Sequence, residues 1–202
     1  MLTKRHVHLR RDFVATHEHW TEEDWDMVIW SDETKINRYQ SDGRSWYYTR
    51  DPNTIKPNHV SQTVKHGGGS IMVWGCITKN GIDRLVRIVG IMRKEQYLTI
   101  LQQNLPIVIE TLALAAEKVI FQQDNDPKHT ARLVKDWIKR QKFSTLTWPP
   151  QSPDMNPIEN LWSHFKAQLA KYPNPPKGVN ELWERKKFGM QYPPILYRNI
   201  RK

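Results

Sequence analysis

Cysteine is almost missing from this chain of 202 residues: Cys76 stands alone. A single thiol excludes an internal disulfide and argues against a cysteine-built zinc site. Long apolar runs are missing too. The longest, residues 71–77, falls far short of the roughly 20 residues a membrane-spanning helix needs, and mean hydropathy is −0.72. A membrane protein is therefore not expected. No charged-then-apolar stretch at the start reads as a signal peptide, so an intracellular protein is expected. Acids are the remaining shortage. Asp and Glu number 21 against 31 Lys and Arg, giving a net charge of +10 and a pI of about 9.7. That excess favours a polyanionic partner, nucleic acid first and an anionic membrane surface second. Aromatic residues are not scarce. Nine tryptophans argue for an ordered core over a disordered basic tail, and the length suits one ordinary domain.

The charge is unevenly spread. Residues 1–26 carry four bases and six acids, whereas residues 161–202 carry nine bases and two acids, a net +7. The 119–160 stretch is only +1. Residues 1–26 read as an amphipathic helix and a short acidic segment, with Thr21 and Asp24 spaced as a helix cap. Strand signals follow at 27–30, 46–49 and 71–77, with a polar loop over 51–66. Asn80-Gly81 is a hairpin turn whose partner strand is 85–89. The apolar period then turns helical from Tyr97 to Leu105, and Pro106 is expected to start a new helix. Strands at 119–121 and 144–148 alternate with helices at 128–142 and 157–171. Strands in hairpins followed by alternating strands and helices predict a mixed sheet covered by helices. The basic remainder beyond 172 has no clear period.

Three acids fall at expected element ends: Asp32 after the first strand, Asp124 after the middle one, and Glu159 in the first turn of the last long helix. Converging carboxylates repel one another and invite cations. Oxygen-only ligands suit Mg or Mn, and two such ions can stabilise both oxygens of a phosphodiester displacement. Each acid also has a plainer reading. With Asn156 as N-cap and Pro157 first, Glu159 is a capping-box partner. Asp32 could be a solvated strand-end acid. Asp126, before Pro127, reads as the N-cap of the next helix, which leaves Asp124 as the ligand. Glu33 alternates to the other face of its strand from Asp32.

Four motifs stand in order: IWSDETK at 29–35, HGGGS with MVWG at 66–75, FQQDNDPKHT at 121–130 and WPPQSPDMNPIENLW at 148–162. Together they resemble the catalytic domain of the mariner superfamily of DDE transposases, in the branch with thirty-four residues between the last two acids, as between Asp124 and Glu159 here. The resemblance runs over residues 1–172. It implies an α/β, RNase H-like mixed five-stranded sheet with helices on both faces, and Asp32, Asp124 and Glu159 as catalytic ligands of two Mg ions, with Mn as a substitute. It implies DNA cleavage at transposon ends and strand transfer into a TA target. Double-stranded DNA is then the partner, a homodimer the working form and the nucleus the compartment. The expected organisation is a lead-in over 1–26, the catalytic domain over 27–172 and a basic tail over 173–202.

Lys35, Lys128 and His129 lie within five residues of the acids and are candidates for phosphate contact. Gly67, Gly68 and Gly69 would let a DNA backbone approach closely; a flexible hairpin entry is the plainer reading. The pairs His6/His8 and His17/His19 have metal-like spacing but no third ligand nearby. Family members carry N-terminal helix-turn-helix modules, for which nothing before residue 27 is long enough, and the pattern after Trp183 looks compressed. A decayed or co-opted element that binds nucleic acid without turnover is therefore the competing expectation. An integrase with a His/Cys zinc module is excluded by the single cysteine, and a hybrid nuclease would not be expected to carry the 151–159 motif.

Overall fold

A computed structural model describes residues 2–39 and 68–185. The backbone runs α1 (Lys4–His17), α2 (Glu22–Asp26), β1 (Val28–Asn37), β2 (Ser70–Thr78), β3 (Gly81–Ile88), α3 (Lys94–Leu112), β4 (Ile120–Gln122), α4 (Arg132–Ile138), β5 (Ser144–Thr145), α5 (Pro157–Ala170) and α6 (Val179–Glu184). The strands form one sheet in the order β3-β2-β1-β4-β5. β1, β2 and β3 pair antiparallel, while β4 and β5 join parallel to β1. This is the expected five-stranded mixed sheet. The strand and loop expected over 46–66, and Gly67, lie outside the described residues.

Alternation along the strands sends side chains into two cores. Val28, Trp30 and Ile36 of β1 join Ile71, Val73 and Ile77 of β2 under Ile158, Leu161, Trp162 and Phe165 of α5. On the opposite face, Ile29, Trp74, Cys76 and Phe121 pack under Tyr97, Leu101, Leu105 and Val108 of α3 and Val134 and Trp137 of α4. Cys76 is wholly buried there, and burial raises its thiol pKa, so it is a core residue. Thr3 and Thr21 each close a capping box, on α1 and α2.

Several local expectations are corrected. β1 does not stop near Asp32. Antiparallel pairing with β2 carries it on to Asn37 opposite Ser70, because a β2 partner is available along that whole edge. On the other edge β4 pairs only as far as Trp30 opposite Gln122, so Asp32 sits just past the end of the parallel ladder. Pro106 does not start a helix; α3 runs through it. A proline inside a helix costs about 3 kcal/mol, but Leu101, Leu105, Val108 and Leu112 hold one buried stripe across it, and that burial outweighs the cost. α4 begins at Arg132, later than expected, because residues 126–130 form a separate turn in which the His129 and Thr130 N–H groups both donate to Asp126 O. β5 is two residues long. Beyond 172 the chain is not aperiodic throughout: α6 forms over Val179–Glu184 and buries Leu182 in the α5-side core.

Gly75 of β2 lies opposite Asp32 in the ladder. A Cβ there would come within 2.6 Å of the Trp162 ring and of Leu85 Cδ2. Gly75→Val is expected to destabilise the fold by about 1–3 kcal/mol through overpacking, read as a lower urea midpoint with an unchanged slope. Wild-type stability would show that the ring has room to move.

Candidate active site

Asp32, Asp124 and Glu159 line one cavity of about 460 Å³, walled by Asn125, Pro127 and the Trp148–Pro153 run. Three separate elements deliver them: mid-β1, the loop after β4, and the first turn of α5. Among the described residues no group of three or more His, Cys, Asp or Glu side chains stands at ready-made ligand spacing. Like charges repel, so three carboxylates sharing a cavity hold apart unless cations come between them.

Each acid is held differently. Asp32 accepts a 3.0 Å hydrogen bond at Oδ2 from Trp162 Nε1, which descends from α5 into the space that Gly75 leaves. Burial, then the negative charges of Glu159 and Glu33, push the Asp32 carboxyl up to about 7. Asp124 accepts from the Asp126 N–H and from His129 Nδ1, both at Oδ1, and the residue lines the cavity. Burial works to raise its pKa, but the bonds from His129 and Asp126 win and hold it below the usual carboxylate range. Glu159 follows the N-cap Asn156, whose Oδ1 accepts from Ile158 N–H. Glu159 itself lines the cavity, and burial raises its pKa. Of the two readings of Glu159, the geometry favours the site over a closed capping box.

His129 is corrected as a DNA-contact candidate. Its ring is 2% exposed and stacks on Tyr97 with centroids 4.0 Å apart. Nδ1 clasps Asp124, and Nε2 stands 3.3 Å from Glu33 Oε1 as an ion pair. A ring enclosed on that many sides orients a carboxylate and has no face left for a phosphate. Burial lowers its pKa, yet the two carboxylates overcome that and raise it to about 9. Glu33 thus serves the site from the far face of β1, as the anchor of His129.

Lys128 pairs with Asp126 Oδ2 at 2.6 Å, beside the cavity wall. Lys35 is exposed but alternates onto the face of β1 away from Asp32 and does not line the cavity. Gly68 and Gly69 precede β2, whose first residue, Ser70, already lies roughly 17 Å along the strand from the level of Asp32 at 3.4 Å per residue. Gly68 packs against the Tyr39 ring, which leaves no room for a Cβ, and Gly69 has φ +85°. Both suit a hairpin base better than a DNA seat. Three of the four paired histidines are engaged locally: His6 closes the α1 cap, His8 pairs with Asp12, and His17 bonds Phe13 O beside Trp20 and Trp25.

Sequence reasoning missed the roles of Trp162, Gly75 and Arg10, and placed Glu33 on the other face of β1 without finding its partner His129. Trp162 was visible as the residue three after Glu159, hence on the same helix face. Arg10 was not: it reaches from α1 to Asp154 and Gln151 O, gripping the loop that leads into Glu159. No local signal marks that contact.

The arrangement has counterparts among known proteins. The family described as DDE superfamily endonuclease matches residues 27–181. The chain is 42% identical over 169 residues to the Tcb2 transposase of Caenorhabditis briggsae, covering 83% of this chain and 61% of that protein. It is 40% identical over 170 residues to the Tc1 transposase of Caenorhabditis elegans, covering 84% and 61%. It thus spans about three-fifths of those relatives. Among solved structures, the Mos1 transposase paired-end complex with left transposon end aligns at a TM-score of 0.80 and 18% identity, covering all of this chain and 60% of that one. The Mos1 catalytic domain with raltegravir and Mg aligns at 0.71 and 17%, covering 100% and 91%. These two share the fold, which is RNase H-like.

Proposed function

The chain belongs to the DDE superfamily endonuclease family, among the mariner-type transposases, and from that premise we propose that it cleaves DNA at transposon ends and transfers the freed strand into a TA target. The single observation that carries the reading is the delivery of Asp32, Asp124 and Glu159 by three elements into one cavity.

The donor set fits divalent metal. All three side chains offer oxygen, which suits Mg or Mn, and burial with the neighbouring charges of Glu159 and Glu33 disfavours the Asp32 anion, a cost that a bound cation would offset. Asp32, Asp124 and Glu159 would hold two such ions, which supply charge neutralisation for the attacking and leaving oxygens of a phosphodiester displacement. The chain's own residues do the positioning. Trp162 fixes Asp32, His129 holds Asp124 at Oδ1, and the wall from Trp148 to Pro153 bounds the space beside them. The displacement needs no covalent enzyme intermediate, and among the described lining residues the one hydroxyl side chain, Ser152, donates to Pro150 O.

The Mos1 paired-end complex contains a transposon end, and this chain shares its fold. Two copies acting on paired DNA ends, in the nucleus, is the corresponding expectation here. The test uses a labelled, pre-cleaved transposon end, a TA-containing plasmid and the purified protein with Mg, Mn or EDTA. Joined product with either metal, none with EDTA, and junctions at TA are expected. Product in EDTA would overturn the metal reading. No product under any condition would favour the decayed copy.

A further inference from the structure

Three buried polar side chains stand within three residues of the three acids in sequence, and they bond to one another. Ser31 precedes Asp32, Gln122 lies two before Asp124, and Asn156 lies three before Glu159. They are 3%, 0% and 5% exposed. Ser31 N–H donates to Gln122 Oε1 at 3.2 Å, and Ser31 Oγ donates to Gln122 O at 2.8 Å. Asn156 Nδ2 donates to Ser31 O at 3.2 Å and lies 3.4 Å from Gln122 Oε1. The knot forms where the β1–β4 ladder ends at Trp30 opposite Gln122, so side chains take over from backbone pairing at the level where the strands diverge toward the cavity.

We propose that Ser31, Gln122 and Asn156 are positioning residues that set the spacing of Asp32, Asp124 and Glu159. The inference rests on the proposed metal-dependent reading of that cavity and deepens it. Cohesion alone does not explain the knot. Burying amides and a hydroxyl costs free energy that apolar side chains of similar size avoid, and Gln122 Nε2 is buried with no partner. What directional bonds supply and packing does not is a fixed relative placement of three backbones. Asn156 is the strongest link, because one amide does two tasks. Oδ1 caps α5 through Ile158 N–H, while Nδ2 ties the start of that helix to β1 and β4.

The test separates those tasks. Asn156→Ser keeps a good N-cap but loses the Nδ2 donor; Gln122→Met keeps size and removes the amide. Manganese binding is measured by electron paramagnetic resonance on the wild type, both variants and Asp124→Asn, below the unfolding transition of each as read by circular dichroism. Both knot variants are expected to fold and to bind Mn about 10- to 100-fold more weakly, the range for side chains that orient ligands. Wild-type affinity in both folded variants would overturn the proposal. If the wild type itself binds no Mn, the metal reading fails separately, and a crystal structure of Asn156→Ser then decides. Displacement of Glu159 by about 1 Å or more from Asp32 and Asp124, enough to matter chemically, supports the positioning role. Superposition of the three acids on the wild type overturns it.

Discussion

Asp124→Asn is expected to reduce joining of a pre-cleaved end to a TA plasmid on the order of 10³-fold or more, with little change in stability. The two halves of that expectation have separate causes. Both bonds that hold the side chain fall on Oδ1, and an asparagine Oδ1 can accept both, the bond from His129 losing its charge assistance. The shape of the loop therefore survives. What disappears is the negative charge of a side chain that lines the cavity. Metal ions contribute several kcal/mol of charge stabilisation to such displacements, and each 1.36 kcal/mol is tenfold in rate, so losing one of three anionic ligands costs about three decades. Joining within tenfold of wild type, at matched thermal midpoints, would remove Asp124 from the site.

The second large effect is on stability against pH, and it reverses with metal. Asp32 is lifted from the ordinary 3.8 to about 7, so the folded state binds its proton more tightly than the unfolded chain. The stability this contributes is present below about pH 4 and is lost as pH rises through 7. His129, lifted from 6.5 to about 9, adds a loss of the same sign between those two values. Asp124, held low, acts oppositely and only in acid. In EDTA the melting temperature is therefore expected to fall between pH 5.5 and pH 9. A shift of three pKa units corresponds to about 4 kcal/mol as an upper figure. Adding Mn should restore most of the loss at pH 7.5 and little at pH 5.5, since an ion binds the ionised carboxylate. A melting temperature flat in pH, or equal Mn stabilisation at both values, would show that Asp32 is not strained by its neighbours. Scanning calorimetry with and without Mn reads both.

The correction to His129 bears on how far local reading reaches. Spacing placed it within five residues of Asp124, and nearness in sequence suggested a DNA contact. The turn over 126–130 swings its ring inward onto Tyr97 of α3, and Glu33 meets it from the far face of β1. Proximity to the acid was legible in sequence, but the direction of the ring was not. Pro106 carries a related lesson. Its local preference for a helix start was overruled by an apolar stripe that continues on both sides of it.

The sequence by itself determined which side chains carry charge and apolar surface, the period of each segment, and the motifs that single out Asp32, Asp124 and Glu159. Those are properties of a residue and its near neighbours, so they can be read along the chain. Tertiary structure alone decided what holds the three acids. Trp162 meets Asp32 across 130 positions, Asn156 meets Ser31 across 125, and Gln122 meets Ser31 across 91. No period or cap signal spans such separations. They are set by strand order, by the slot that Gly75 leaves for an indole, and by a β4 that stops pairing one residue before Ser31. The physical reason is that a hydrogen bond or a packed ring needs two partners within a few ångströms, and only the folded sheet brings these partners together.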